Sequence, residues 1–339
     1  MNNIKRLEWV DIVKGLAIIC MLISHAIPEY TNPIKNWITA FNMPLFFVIT
    51  GYLKEETNQK YYFTDIGSYF KKKLIVLGIP YVVFCLIYTF LMLVLSLYSS
   101  GWSTITINRL IGGLKNTFFF FGVQSMWFIP VYLYSVLIYD FLISKTNETF
   151  KIILVVTMVM ILLLGYRLFI FNLFTRQLGK VIEALVFLQA GSLSYRFMEK
   201  TNILIIMSGL IFFSVLAIWN GSVSMNFEFG RIPLLFFINS IALSVTLCCF
   251  FKEINQCFPQ TVRSFLATYG QYSIVILVTN NVVIEIVRLL DHKLTGNFFL
   301  HHGIIGHLLF AALLVLLEYP VILTAKGKAG ILFGKGKLR

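Results

Sequence analysis

Arg6-Leu7-Glu8-Trp9-Val10-Asp11-Ile12-Val13-Lys14-Gly15-Leu16-Ala17-Ile18-Ile19-Cys20-Met21-Leu22-Ile23-Ser24-His25 opens the chain with an apolar run of membrane length, Val10 to Ile27, that carries three ionisable side chains. Such groups are costly in hydrocarbon, so Asp11, Lys14 and His25 within one span point to function, with pairing or a water-filled cavity explaining how they are tolerated. A helix advances about 100° per residue, which sets Lys14 about 300° from Asp11 and His25 about −40° from Asp11, so all three share a face. The rise of about 1.5 Å per residue separates Lys14 from His25 by roughly 16 Å along that face. The spacing therefore predicts an i, i+3 pair of Asp11 with Lys14 near one membrane surface and an imidazole towards the other.

Working outward, the 339 residues are 58% hydrophobic and 13% charged, a balance that excludes a water-soluble globule with an ordinary surface. The expected fold is all-α: a polytopic integral membrane protein of about ten transmembrane helices with both termini cytoplasmic. The apolar windows fall near Val10–Ile27, Trp37–Leu53, Leu74–Leu97, Phe118–Ile143, Ile152–Phe171, Val181–Met198, Ile203–Trp219, Ile232–Phe251, Phe265–Leu290 and Gly303–Leu323. With the amino terminus inside, 18 Lys and Arg lie in inside segments and nine in outside segments, the asymmetry of the positive-inside rule. The net charge of +13 follows from this and gives no case for a nucleic-acid partner, because the basic residues are scattered over short loops. Asp11 and Lys14 argue against removal of the first run as a secretory signal. One transmembrane domain, 1–325, and a short basic cytoplasmic tail, 326–339, are expected, the tail suited to anionic lipid. The five cysteines sit at no metal or disulfide spacing, and no metal site is expected: His301, His302 and His307 do not share a helical face. No Walker loop or dinucleotide fingerprint is present.

Four blocks, in order, resemble the membrane acyltransferase type 3 family, most closely its fucose O-acetylase-like and exopolysaccharide O-acetyltransferase branch. The first is Arg6 to Gly15 leading to Ser24-His25. The second is Asn42-Met43-Pro44-Leu45-Phe46-Phe47-Val48-Ile49-Thr50-Gly51-Tyr52, similar to the family's Met-Pro-Leu-Phe-Phe and Ser-Gly-Tyr. Lys71-Lys72-Lys73 ahead of Ile79-Pro80-Tyr81 forms the third and Met126-Trp127-Phe128-Ile129-Pro130 the fourth. A weaker fifth, Tyr269-Gly270-Gln271-Tyr272-Ser273, is similar to a Gly-Lys-Tyr-Ser stretch of a late helix. The chain departs from the family pattern at three positions. Lys14 stands where many members have Arg and so lacks the two-pronged donor, while Asn42 and Asn280 stand where His is common.

The resemblance implies an acyl-CoA donor on the cytoplasmic side, most commonly acetyl-CoA as a co-substrate with no permanently bound cofactor. It also implies a saccharide or lipid-linked glycan acceptor at the outer face of a multi-pass cell-membrane protein, here a bacterial cytoplasmic membrane. Transfer from a thioester to a hydroxyl requires a general base or a nucleophilic acyl carrier, and His can serve as either. His25, the only histidine in the first eight windows, is the expected catalytic residue, with Asp11 and Lys14 in support. Asn42, Pro44, Thr50, Trp127 and Lys71 to Lys73 are the candidates for a donor or acceptor cavity.

Each has a plainer reading. His25 could cap the helix, Asp11 and Lys14 could only orient it, the lysine cluster could only set topology, and Trp127 could belong to an interfacial aromatic belt. Pro44 and Pro130 would free backbone carbonyls inside their helices, as kinks or as cavity lining. Glu183 and the i, i+3 pair Glu285 with Arg288 are expected to be structural pairs. The competing function is a transporter or flippase for a lipid-linked saccharide, although the paired repeats common in such proteins are not visible.

Overall fold

The computed structural model describes residues 6–27, 32–57 and 63–334. In chain order the helices are α1 Glu8–Ala26, α2 Pro33–Phe41, α3 Pro44–Thr57, α4 Ile66–Lys73, α5 Ile79–Ser100, α6 Thr104–Phe118, α7 Phe128–Ile138, α8 Glu148–Phe169, α9 Leu173–Leu193, α10 Tyr195–Lys200, α11 Ile203–Asn220, α12 Pro233–Ile254, α13 Gln260–Gln271, α14 Ser273–Thr295, α15 Phe298–His301 and α16 Gly303–Lys326. A two-residue hairpin, β1 Val223–Ser224 with β2 Glu228–Phe229, is the one sheet among the described residues. The protein is an all-α polytopic membrane protein. Local sequence explains many helix starts. Asn32 caps α2 ahead of Pro33, Asn147 caps α8, and Asn172 with Thr175 forms a reciprocal capping box on α9.

Among the described residues eight helical segments are long and apolar enough to cross a membrane, against the ten windows expected. The other two windows differ for physical reasons. Trp37–Leu53 is not one helix: the chain breaks at Asn42-Met43, because Pro44 has no amide hydrogen to continue α2 and its fixed φ suits the first position of α3. Pro44 therefore starts a helix instead of kinking one, and Pro130 likewise falls in the first turn of α7. Val181–Met198 is divided between α9 and α10, and α9 is too polar, carrying Arg176, Gln177, Lys180 and Glu183.

Two compact units emerge, 1–63 with 134–273, and 64–133 with 274–339. In the first, α1 lies on α13 and α3 lies on α9 at backbone contact. A Cβ on Gly15 would stand 1.9 Å from the Leu266 carbonyl oxygen and one on Gly270 1.8 Å from that of Asp11. Gly51 meets Leu188, and Gly191 meets Val48, in the same manner. Small residues permit the close approach that membrane helices use where no hydrophobic drive separates helix from lipid. Exposed Leu164 and Leu168 of α8 and Ile211 and Val215 of α11 suit a lipid-facing surface.

In the second unit α4 passes through a π-helical stretch, Leu74–Gly78, into α5, and α6 folds back along α5. Residues 328–333 form a 3-10 turn whose Phe333 stacks on Phe84 at 5.1 Å, so this part of the expected tail packs against α5. Residues 335–339 of that tail lie outside the described residues.

Candidate active site

The first unit holds a group of ion pairs around the Asp11 end of α1. Asp11, buried within α1, does not pair with Lys14 as the i, i+3 spacing predicted. Its carboxylate accepts from Arg6 Nε at 2.5 Å and Nη2 at 3.2 Å, and from Gln271 Nε2 at 3.3 Å. Arg6 precedes the helix, where extended backbone at Leu7 turns its guanidinium back over the first turn. Lys14 has no ion-pair partner among the described residues, and Cys248 of α12 lies within electrostatic range of its ammonium. Trp9 packs edge-on against Tyr52 at 5.2 Å, joining the first and second sequence blocks, while Gln271 and Gly270 bring in the fifth.

Beside Tyr52 lies a network that the sequence did not reveal. Glu55 accepts from Lys151 at 2.7 Å, from Tyr139 at 3.2 Å and from Ser192, while Lys54 meets Asp140 at 2.6 Å. Tyr52 donates to Glu199 at 2.7 Å, and Lys252 also pairs with Glu199. Glu55, Lys151, Ser192 and Tyr195 border a cavity of about 290 Å³. Burial would raise the carboxyls of Glu55 and Glu199, but the hydrogen bonds from Lys151 and Ser192, and from Lys252 and Tyr52, hold both below the ordinary value. A hydrogen bond to Glu56 pushes the Tyr195 phenol up to about 12.

The other end of α1 differs. His25 is exposed between buried Ser24 and Ala26, one residue before the helix ends. Nearby, Lys35 Nζ donates to the Ile27 carbonyl at 2.7 Å, and Trp37 Nε1 to Ser214 at 2.9 Å. Asn42 is buried at the α2–α3 break, where its Oδ1 accepts from the Met43 amide at 2.8 Å. Thr50 hydrogen-bonds its own helix at Phe46 O, 2.7 Å. Glu183 is fully buried, and neither carboxylate oxygen has a hydrogen-bond partner, so the structural pair expected for it is not formed at that level.

In the second unit Lys71, Lys72 and Lys73 close α4, the first two exposed and the third 5.5 Å from the Tyr69 ring. Tyr81, two residues into α5, donates to Asn116 O and Thr117 O and accepts from the Gly122 amide at 3.1 Å. That bond ties the third block to the chain leading into the fourth. Gly122 must be glycine: its φ is +81°, and a Cβ would stand 2.3 Å from Trp127 Cα. Trp127 is half-buried on a 3-10 turn, Gln124–Trp127. Ser125 on the same turn donates to Asn280 Oδ1 at 3.1 Å and accepts from Asn281 Nδ2 at 2.5 Å. Ser125 and Asn281 were missed in sequence, since neither amide nor hydroxyl carries a pattern, although Asn280 marked the place. Buried Thr279 donates to Glu318 at 2.8 Å.

A family model for an acyltransferase domain of type 3 matches residues 7–322, which include four of the blocks whole and the first from Leu7 onward. The chain belongs to the membrane acyltransferase type 3 family. No curated protein and no solved structure matches it. This acyltransferase thus carries its motifs as two sets, with Asp11, Lys14, His25, Asn42, Pro44 and Thr50 in the first unit and Lys71 to Lys73 and Trp127 in the second. The chemistry of the family needs an acyl donor and an acceptor, and among the first set His25 is an exposed side chain at the end of its helix.

Proposed function

We propose that this acyltransferase moves acetyl from acetyl-CoA to a hydroxyl of an exopolysaccharide or another cell-envelope glycan, with His25 as general base. In that reading both termini face the cytoplasm of a bacterial cell, the Asp11 end of α1 lies on the donor side, and His25 lies towards the acceptor. Lys71 and Lys72, exposed at the end of α4, are the cations for the phosphates of the donor. The observation that supports this most is His25 itself: the one histidine of α1 is exposed near the end of a helix whose other ionisable groups, Glu8, Asp11 and Lys14, all lie in its first half.

The test uses membranes holding the protein, acetyl-CoA and the cell's own glycan. His25→Ala is expected to abolish O-acetylation at normal insertion, and full activity in that variant would remove His25 from the mechanism. An acetyl label trapped on the wild-type protein but absent from His25→Ala would replace direct transfer by an acyl-histidine relay. Mass spectra of surface glycan from a deletion strain separate the classes: missing acetyl groups on an intact polymer fit the enzyme, loss of the polymer fits transport.

A further inference from the structure

The second unit contains a polar face that neither the motifs nor the proposed chemistry uses. On α14, Asn281, Glu285 and Arg288 stand four and three residues apart, which places them on one side of the helix. Within the span Ser273–Thr295 this side is not sealed: the Arg288 side chain is 50% exposed and Glu285 26%, and their closest approach is a loose 3.7 Å. Tyr88 of α5 faces the same group, with Gln124 at its phenol and Glu285 and Arg288 within electrostatic range.

The segment that presents Gln124 is built at a cost. Phe120 and Gln124 both adopt positive φ, 57° and 52°, a strained region for non-glycine residues that persists only where the surroundings demand it. Here the surroundings do: Tyr81 holds Gly122, Asn280 and Asn281 hold Ser125, and Gln124 between them stays exposed. Asn281 donates one amide hydrogen to Ser125, and its side chain carries a second amide hydrogen and a carbonyl oxygen. Irregular backbone and open charges inside a span are tolerated where they line a water-filled cavity.

We propose that Asn281, Glu285 and Arg288, with Tyr88 and Gln124, form the acceptor subsite and bind the hydroxyls of a saccharide. The donor set fits a neutral polyol: a carboxylate to accept hydroxyl protons, a guanidinium to donate to hydroxyl oxygens, and two amides that do both. The balanced Glu–Arg pair gives no net charge to attract a phosphate or an acidic sugar. This rests on the reading of the protein as a glycan O-acetyltransferase, and the experiment separates the two.

Initial rates of acetyl transfer are measured with purified full-length protein, acetyl-CoA and de-O-acetylated surface glycan from the same cells. If the wild type transfers no acetyl group, the enzyme reading fails. If it does, Arg288→Gln and Glu285→Gln are each expected to raise the KM for glycan about ten-fold or more, the size of a lost charged hydrogen bond, with the KM for acetyl-CoA within about two-fold. A double variant, Glu285→Arg with Arg288→Glu, keeps an ion pair but inverts its donors. It is expected to remain as impaired as the single variants in a protein of wild-type Tm. Recovery of the wild-type glycan KM by that swap, or an unchanged glycan KM in both single variants, overturns the subsite.

Discussion

The two ends of α1 are built on opposite principles. At the Asp11 end the helix lies at backbone contact on α13 through Gly15 and Gly270, and the acids around it hold partners: Asp11 with Arg6, Glu55 with Lys151, Asp140 with Lys54, Glu199 with Lys252. At the other end His25 points its imidazole out of a helix that is otherwise mostly buried. A carboxylate held by a cation has little basicity left to offer a substrate, whereas an exposed imidazole stands where a substrate can reach it. On the proposed function the paired end anchors the helix and the His25 end carries the chemistry, with Lys14 between them and without an ion-pair partner among the described residues.

The largest effect that could break this division is the loss of His25. His25→Ala should lower turnover by about 10²–10⁴-fold, the usual contribution of a positioned base or nucleophile, while detergent Tm stays close to wild type. A variant that loses Tm instead would move His25 to the anchoring side. Next in size is Lys54→Met, on the anchoring side. It leaves Asp140, whose side chain is 1% exposed, without its ammonium, and losing one partner of a buried pair costs about 3–5 kcal/mol. Thermal unfolding followed by circular dichroism should show a clear fall in Tm, with residual turnover per folded molecule near wild type.

How much of this was readable beforehand follows the same division. Helices, their apolar length and the family blocks lie in local sequence, as does His25, because an imidazole in a first span is conspicuous without any partner. The anchoring end was misread where partners come from elsewhere. Helical spacing offered Lys14 to Asp11, but Arg6 lies before the helix, where extended backbone breaks the 100° rule, and Gln271 is 260 residues away. Ser192 of α9 reaches Glu55 through the packing of α3 on α9, which rests on Gly51 and Gly191, while Lys151 comes from α8 and Tyr139 from the turn after α7. The break at Asn42-Met43 was signalled by Pro44, whose preference for a first helical position outweighed the continuity of the apolar window.

A smaller effect is expected at Asp11. Asp11→Ala removes two guanidinium bonds and one amide bond, yet Arg6 is 63% exposed and regains water, so the loss should be about 1–2 kcal/mol, well short of the Lys54 case. Tm measured in parallel with turnover sharpens the comparison. If turnover per folded molecule survives, the Asp11 end is an anchor; if it collapses at a temperature where the variant is folded, that end touches the donor.

The smallest effect concerns pH and isolates the tether of α10. Glu199 has a lowered folded value, so its stabilisation is complete above the ordinary carboxylate range and is lost as pH falls through the lowered value. Tyr195 has a raised value, so its share is complete below the ordinary tyrosine value near pH 10 and is lost as pH rises through about 12. Both contributions are constant between about pH 5 and 10, and Tm over that interval should not respond to them. An imidazole acting as base must be neutral, and imidazoles ordinarily titrate within pH 5 to 8. A fall in turnover across that interval at constant Tm therefore belongs to the His25 end, and a parallel fall in Tm would return it to the charged network.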